Sequence, residues 1–263
     1  MVDLFRTRDH VPEFEDYVAQ YAQRSAQTRS RLRADLDVAY GAGADERLDL
    51  FFPPRLDGPA PVHLFVHGGY WRMFGKGDFS FVADTVTAAG AIAAVMDYSL
   101  MPAVRMETIV AQVKSAARWL VANAGSFGGE GARLSMSGHS AGAHLCATLL
   151  ADAGAPRPRG CLLLSGVYDI APLRQSFLDP LIGITAAEAA AFSPLHLPID
   201  TTADIRILVG ERETAPFHDQ AAALAARLGR PVQTIAGADH MSVALDLGNP
   251  DTSVGRALAA LCG

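Results

Sequence analysis

The chain has 263 residues, of which half are hydrophobic and 19% are charged, and its formal net charge is −6. This composition supplies enough apolar material for one large globular domain with a sheet buried on both faces, and it argues against disorder. The charges are spread along the chain and form neither the basic footprint of a nucleic-acid-binding protein nor a polybasic patch for a membrane, which leaves a small molecule as the expected partner.

Two elements are predicted ahead of the main pattern. Residues 12–33 look helical, and residues 1–35 are expected to form a helical extension outside the core pattern. Short strands at 36–38 and 48–52 flank the glycine-rich turn at 41–43. This arrangement predicts an antiparallel hairpin at the edge of a sheet.

From residue 61 onward, apolar strand-like runs alternate with segments of helical periodicity. Strands are predicted at 62–66, 91–96, 133–137, 160–165, 205–209 and 232–235, and a helix at 109–121. Such alternation is typical of a mostly parallel, twisted sheet with helices on both faces, so we predict a single α/β domain over residues 1–263. The segment 167–198, which contains four prolines, interrupts this rhythm and is predicted to be a short lid-like insertion.

A sharp strand-to-helix turn is indicated at residues 138–142, where the sequence GHSAG fits the G-x-S-x-G pattern of a nucleophile elbow. An apolar strand precedes the motif and an apolar helix follows it, as that turn requires. The flanking glycines are needed because side chains at those positions would collide with nearby backbone. Ser140 is therefore the predicted nucleophile of an α/β-hydrolase, and the alternative is a serine that only caps the following helix.

The loop after strand 62–66 reads HGGYW at residues 67–71, where an α/β-hydrolase supplies half of its oxyanion hole. The amides of Gly69 and Ala141 are the predicted donors, with Gly68 or Tyr70 as alternatives to Gly69. Tyr70 and Trp71 are the first large side chains after the hole. They are predicted to wall the substrate pocket, with core packing as the alternative.

A serine nucleophile needs a base that accepts its proton and an acid that orients this base. The chain order in this fold is serine, acid, histidine, and His240 lies in the loop after the last strand, so it is the predicted base. Three other histidines are weaker candidates by position: His144, His196 and His218. The acid is predicted after strand 205–209, where Glu213 can turn back over the sheet edge, whereas Glu211 is expected to pair with Arg212 at the surface.

Several segments resemble the kynurenine formamidase branch of the α/β-hydrolases, close to the hormone-sensitive-lipase-like esterases, and the likeness covers most of the chain. The segments 67–71 and 138–145 are similar to signatures of that branch, although typical neighbouring esterases have a third glycine where Tyr70 stands. The stretch 165–169 also resembles it, which implies a substrate-binding role for Tyr168. An aspartate commonly holds the position of Glu213, so the glutamate here departs from the branch's pattern.

The cysteines and the first residues indicate no metal site and no export. Cys146, Cys161 and Cys262 are far apart and form no CxxC or Cys/His pattern, so we expect reduced thiols in the core. The first residues lack the segments of a signal peptide, and no run of 18 apolar residues occurs. A cytoplasmic protein without a membrane segment is expected.

Together these features predict a serine hydrolase that cleaves a small acyl amide or ester through Ser140, His240 and Glu213. The resemblance implies an N-formyl aromatic amine such as N-formylkynurenine as substrate, and a short-chain carboxylesterase is the alternative. A non-catalytic ligand-binding protein on the same scaffold is disfavoured, because every triad position has an occupant. No metal or organic cofactor is implied, and a homodimer is compatible with the sequence.

Overall fold

Eight strands form one sheet within residues 2–263, the part of the chain that the computed structural model describes. In chain order they are β1 (Ala34–Ala39), β2 (Arg47–Phe51), β3 (Ala60–Val66), β4 (Ile92–Met96), β5 (Gly129–His139), β6 (Gly160–Leu164), β7 (Asp204–Gly210) and β8 (Val232–Ile235). Their spatial order is β1-β2-β4-β3-β5-β6-β7-β8. All neighbours from β4 to β8 pair in parallel, whereas β2 is antiparallel to both β1 and β4. The predicted mostly parallel sheet is confirmed.

Helices pack on both faces of this sheet. They are α1 (Phe14–Arg31), α2 (Val82–Ala88), α3 (Met106–Asn123), α4 (Ala141–Leu150), α5 (Asp179–Ile182), α6 (Ala186–Ala191), α7 (Ala215–Leu228), α8 (Ser242–Leu245) and α9 (Ser253–Ala259). Successive strand residues point to opposite faces. Accordingly, Leu64 joins one apolar core with α3, α4 and α7, and Phe65 joins a second core with α2 and α9. Within residues 2–263, no helix has both the length and the apolar character that crossing a membrane requires.

The predicted elements are present, with shifted ends. The hairpin is formed by β1 and β2, and β1 is the edge strand. The helix predicted at 109–121 is α3, which buries Ile109 and Leu120 but leaves Val121 41% exposed, because the apolar stripe turns away from the sheet there. Strand β5 begins earlier than predicted, at Gly129, opposite Ala60 of β3. Its first residues lack apolar alternation, so their pattern does not indicate a strand.

The predicted amino-terminal helix is α1, and it is tied to the end of the chain. The Tyr21 hydroxyl donates to the carbonyl oxygen of Met241 at 2.7 Å. The Arg24 guanidinium donates to the carbonyl oxygens of Leu245 and Gly248, each at 3.0 Å. Helix α1 is thus fixed near the loop that follows β8.

The proline-rich segment 167–198 lies between β6 and β7 and contains α5 and α6. A hydrogen bond fixes it to the elbow helix: His144 Nε2 on α4 lies 2.6 Å from the carbonyl oxygen of Phe192. Its assignment as a lid stays a prediction.

Candidate active site

The turn between β5 and α4 places Ser140 at the carboxyl edge of the sheet. The residue has φ 55° and ψ −118°, a backbone conformation that costs free energy for any residue with a side chain. A Cβ on Gly138 would lie 2.3 Å from the carbonyl oxygen of Gly142, and a Cβ on Gly142 would lie 1.9 Å from that of Val66. Both glycines are therefore required by the close backbone packing that holds the strained serine in place.

Glu213 and His240 meet where the loops after β7 and β8 come together. His240 Nδ1 lies 2.6 Å from Glu213 Oε2, and both residues are buried. The other carboxylate oxygen, Oε1, accepts hydrogen bonds from the Gly210 amide at 2.7 Å and from the Ser165 hydroxyl. The carboxylate is thus held on both of its oxygens, and it holds the imidazole in one orientation.

Glu211 is directed away from this pair. It is exposed, and its Oε2 accepts a hydrogen bond from the Gly237 amide at 2.7 Å. The expected surface pairing of Glu211 with Arg212 is absent within residues 2–263, because Arg212 pairs with Asp239 at 3.1 Å. The structure therefore brings Glu213, and not Glu211, to His240.

A second histidine, His139, lies against the candidate base. The rings of His139 and His240 have their centroids 4.7 Å apart, and His139 Nε2 lies 2.9 Å from the carbonyl oxygen of His240. Burial, together with the neighbouring His240, lowers the pKa of His139 well below its usual range. His139 is therefore neutral, and its Nε2–H donates to the backbone of the base. In the elbow motif, His139 occupies the variable position, so the motif alone assigns it no role.

The loop after β3 runs beside the serine. A Cβ on Gly68 would lie 3.2 Å from Ser140 Cβ, and Gly69, with φ 105°, lines the same cavity as Ser140. His67 supports the loop: its Nδ1 lies 2.8 Å from the Gly68 carbonyl oxygen, and burial lowers the pKa of His67 to about 4. Within residues 2–263, no backbone oxygen accepts the amide hydrogens of Gly69 or Ala141. Free amides beside a nucleophile are what an oxyanion hole requires.

The cavity that contains Ser140 and His240 is small, with a volume of about 30 Å³. Its apolar wall includes Tyr21, Phe79 and Met241. A space of this size holds only one or two groups as large as a water molecule. Within residues 2–263, no group of three side chains is arranged to hold a metal ion.

Of the three predicted substrate-contact residues, only Tyr70 reaches this cavity. Trp71 is fully buried and packs edge-on against His144, with ring centroids 4.9 Å apart. Tyr168 is also fully buried and packs against Gly166. The structure places both in the core because the backbone turns their side chains inward, a direction that an aromatic residue in a motif does not reveal.

Comparisons with known proteins point to hydrolases. The BD-FAE family model matches residues 48–155, from β2 to just beyond α4. The kynurenine formamidase of Danio rerio is 27% identical over 242 residues, which cover 86% of this chain and 81% of the relative. A candidate thioesterase of known crystal structure from Silicibacter sp. TM1040 is 28% identical with a TM-score of 0.86, covering 98% of this chain and 97% of that one. The chain is an α/β-hydrolase, and it is similar to the kynurenine formamidases over most of its length.

A more distant structure shows how widely the fold of this hydrolase is shared. The hyperthermophilic esterase from the archaeon Pyrobaculum calidifontis has a TM-score of 0.72 at 18% identity, with 94% of this chain and 89% of the esterase covered. At that identity the likeness shows the fold alone. What this hydrolase cleaves depends on its own site residues.

The amino-terminal segment of the hydrolase supplies site residues that the sequence analysis missed. Thr7, Phe14 and Tyr21 line the cavity that contains Ser140. The segment is held there in part by the Thr214 hydroxyl, which donates to the Leu4 carbonyl oxygen at 2.6 Å across 210 positions of sequence. The helical spacing of Phe14 and Tyr21 indicates a buried face of α1, but no local pattern shows that this face covers the active site.

Proposed function

We propose that this hydrolase removes small acyl groups, formyl first among them, from aromatic amines, with N-formylkynurenine as the leading substrate. The observation that carries the proposal is the cavity of about 30 Å³ that contains both Ser140 and His240. Its apolar wall and small volume suit a formyl or acetyl group better than a long acyl chain. The relationship to the Danio rerio formamidase supports the same substrate class.

In the proposed reaction, the Ser140 hydroxyl attacks the acyl carbon while His240 accepts its proton. The tetrahedral oxyanion that forms is stabilised by the amides of Gly69 and Ala141, with Gly68 beside them. His240 then donates the proton to the leaving nitrogen as the C–N bond breaks. Water, deprotonated by the same histidine, hydrolyses the acyl-serine ester and releases the acid. Glu213 keeps Nδ1 protonated and stabilises the imidazolium throughout.

The proposal is tested by comparing kcat/KM for N-formylkynurenine, formanilide, phenyl acetate and phenyl butyrate. We expect formyl and acetyl substrates to be cleaved faster than butyryl ones. The kcat/KM values of the formamides should be lower than that of phenyl acetate, because amide cleavage needs more help from the acid catalyst, but by no more than about 100-fold. The Ser140→Ala variant serves as the control and should lose nearly all turnover of each substrate.

Two outcomes would contradict the proposal. Formamide values several orders of magnitude below the ester values would indicate a short-chain carboxylesterase instead. Equal rates for acetyl and butyryl esters would show that the small cavity does not limit the acyl group. Turnover of p-nitrophenyl acetate alone decides nothing, because an activated ester needs little help with its leaving group.

A further inference from the structure

A second and larger cavity adjoins the one around Ser140. Its volume is about 260 Å³, against about 30 Å³ for the smaller cavity. The two share four lining residues, Thr7, Phe14, Tyr70 and Met73, so they are adjoining parts of one cleft. If the small part holds the acyl group, as the proposed function requires, the larger part is the space left for the leaving group.

The charged residues that line the larger cavity are all arginines. Arg6, Arg8 and Arg72 line it, and no aspartate or glutamate is among its lining residues. The chain as a whole has a formal net charge of −6. Guanidinium groups that line a cleft attract anions.

Arg72 differs from the other two arginines in having no partner of its own. Arg6 lies 3.6 Å from Asp9, and Arg8 lies 3.0 Å from Glu15. Within residues 2–263, Arg72 forms no ion pair, and its Nε is enclosed without a hydrogen-bond acceptor. Because no group in the described part of the chain holds the Arg72 side chain and the residue lines the cavity, its guanidinium is available to an anion bound there.

The backbone fixes Arg72 relative to the nucleophile. Its amide donates to the Gly69 carbonyl oxygen at 3.0 Å, within the same loop that supplies the candidate oxyanion donor. Aromatic surfaces stand beside the arginines: the rings of Tyr70 and Phe177 meet edge-on with centroids 5.7 Å apart, and Arg8 lies over the ring of Phe14. The larger cavity therefore combines flat apolar walls with a guanidinium fork, which matches a carboxylate in two parallel hydrogen bonds.

We propose that the larger cavity binds the leaving group of the substrate, and that Arg72 binds the carboxylate that this leaving group carries in N-formylkynurenine, the leading substrate of the proposed function. Arg6 and Arg8, each paired with a carboxylate, line the same cavity. The carboxylate belongs to the leaving group and not to the acyl group, because no lysine or arginine lines the small cavity. This inference rests on the proposed function, which assigns the acyl group to the small cavity and the leaving group to the larger one.

The test uses substrate pairs that differ in charge: 3-acetoxybenzoate against phenyl acetate, and 3-formamidobenzoate against formanilide. The measured quantity is the ratio of kcat/KM for the anionic member to that for the neutral member. We expect Arg72→Gln to lower this ratio by about 10- to 100-fold, mainly through KM of the anion. Arg72→Lys should lower it less, since it keeps the charge but loses the fork. Added NaCl should lower the ratio of the wild-type enzyme.

Arg55→Gln is the matched control, because Arg55 is exposed in the loop before β3, at the opposite end of the strands from Ser140. It should leave both ratios unchanged.

The ester pair tests the carboxylate site even if formamides prove to be poor substrates, so failure of the proposed function is separable from failure of this inference. For a variant without turnover, calorimetric binding of 3-formamidobenzoate to Ser140→Ala, with and without Arg72→Gln, gives the same comparison. A ratio that Arg72→Gln leaves unchanged, or equal binding to the two proteins, would overturn the inference.

Discussion

Replacing Glu213 with glutamine is the sharpest test of how the triad is held. Oε1 of Glu213 accepts a hydrogen bond from the Gly210 amide at 2.7 Å, and this amide can only donate. The glutamine oxygen must therefore take the Oε1 position, which leaves its NH₂ group facing His240 Nδ1. Two donors cannot face each other, so Nδ1 must give up its proton and accept. The neutral ring then carries its proton on Nε2 and can no longer accept the proton of Ser140.

The size of this effect follows from the tautomer. An imidazole held in the wrong tautomer lowers kcat of a serine hydrolase by about 10⁴-fold, which corresponds to about 5.4 kcal/mol of transition-state stabilisation. We expect Glu213→Gln to reach that range while leaving KM within about threefold. Glu213→Asp keeps the correct tautomer but moves the carboxylate back by one methylene, so we expect a smaller loss. Initial rates with phenyl acetate, normalised by titration of the active serine, measure both effects.

Glu211→Gln provides the control, because Glu211 is exposed and bonds only to the Gly237 amide on the surface. It should retain turnover close to that of the wild type. Circular dichroism and thermal unfolding should show that all three variants are folded. A Glu213→Gln enzyme that keeps more than about a tenth of wild-type kcat would refute the argument, since the tautomer would then not limit the reaction.

Two further predictions concern stability. Gly142→Ala would bring a Cβ to 1.9 Å from the Val66 carbonyl oxygen, so we expect urea unfolding to show a free energy of unfolding lower by more than about 3 kcal/mol. The control is Gly125→Ala, whose new Cβ has no neighbouring atom within 4 Å. Its free energy of unfolding should stay within about 1 kcal/mol of the wild-type value. Burial alone would raise the pKa of Glu188, but hydrogen bonds from Arg105 and Thr185 outweigh burial and lower the pKa to about 2. The stabilisation from its charge is therefore complete above about pH 4.5 and is lost as the pH falls through about 2. Glu188→Gln should cost about 1–3 kcal/mol at pH 6 and much less at pH 2, while the exposed Glu107→Gln should show no such dependence; an equal cost at both pH values would contradict the assignment.

The sequence was sufficient for the parts of the molecule that local rules determine. Parallel strands leave continuous apolar runs, and a strained elbow leaves glycines two residues on either side of Ser140. Chain order in the fold then pointed to His240 and Glu213, and the structure brings those two side chains into contact. The elbow glycines and the contact between Glu213 and His240 are predictable because each is constrained by its immediate neighbours in sequence or by the order of the strands.

Local patterns do not predict the direction of a side chain or the contacts between distant parts of the chain. The position of Trp71 after the glycine pair allows either a pocket wall or core packing, and the structure places it in the core. The first part of the chain was expected to lie outside the core pattern, yet Tyr21 bonds to Met241 across 220 positions. Contacts of that separation depend on the packed fold, and no periodicity within residues 1–35 encodes them.

The way the cleft is divided between chain segments also has an evolutionary consequence. The residues proposed as nucleophile, acid and base follow β5, β7 and β8, whereas Arg6, Arg8 and Phe14, which line the larger cavity, belong to the first residues of the chain. After a gene duplication, substitutions in those first residues can alter which leaving group is accepted while the bond-breaking residues stay under unchanged selection. Related enzymes that differ in substrate are therefore expected to diverge most in this segment and least around the elbow.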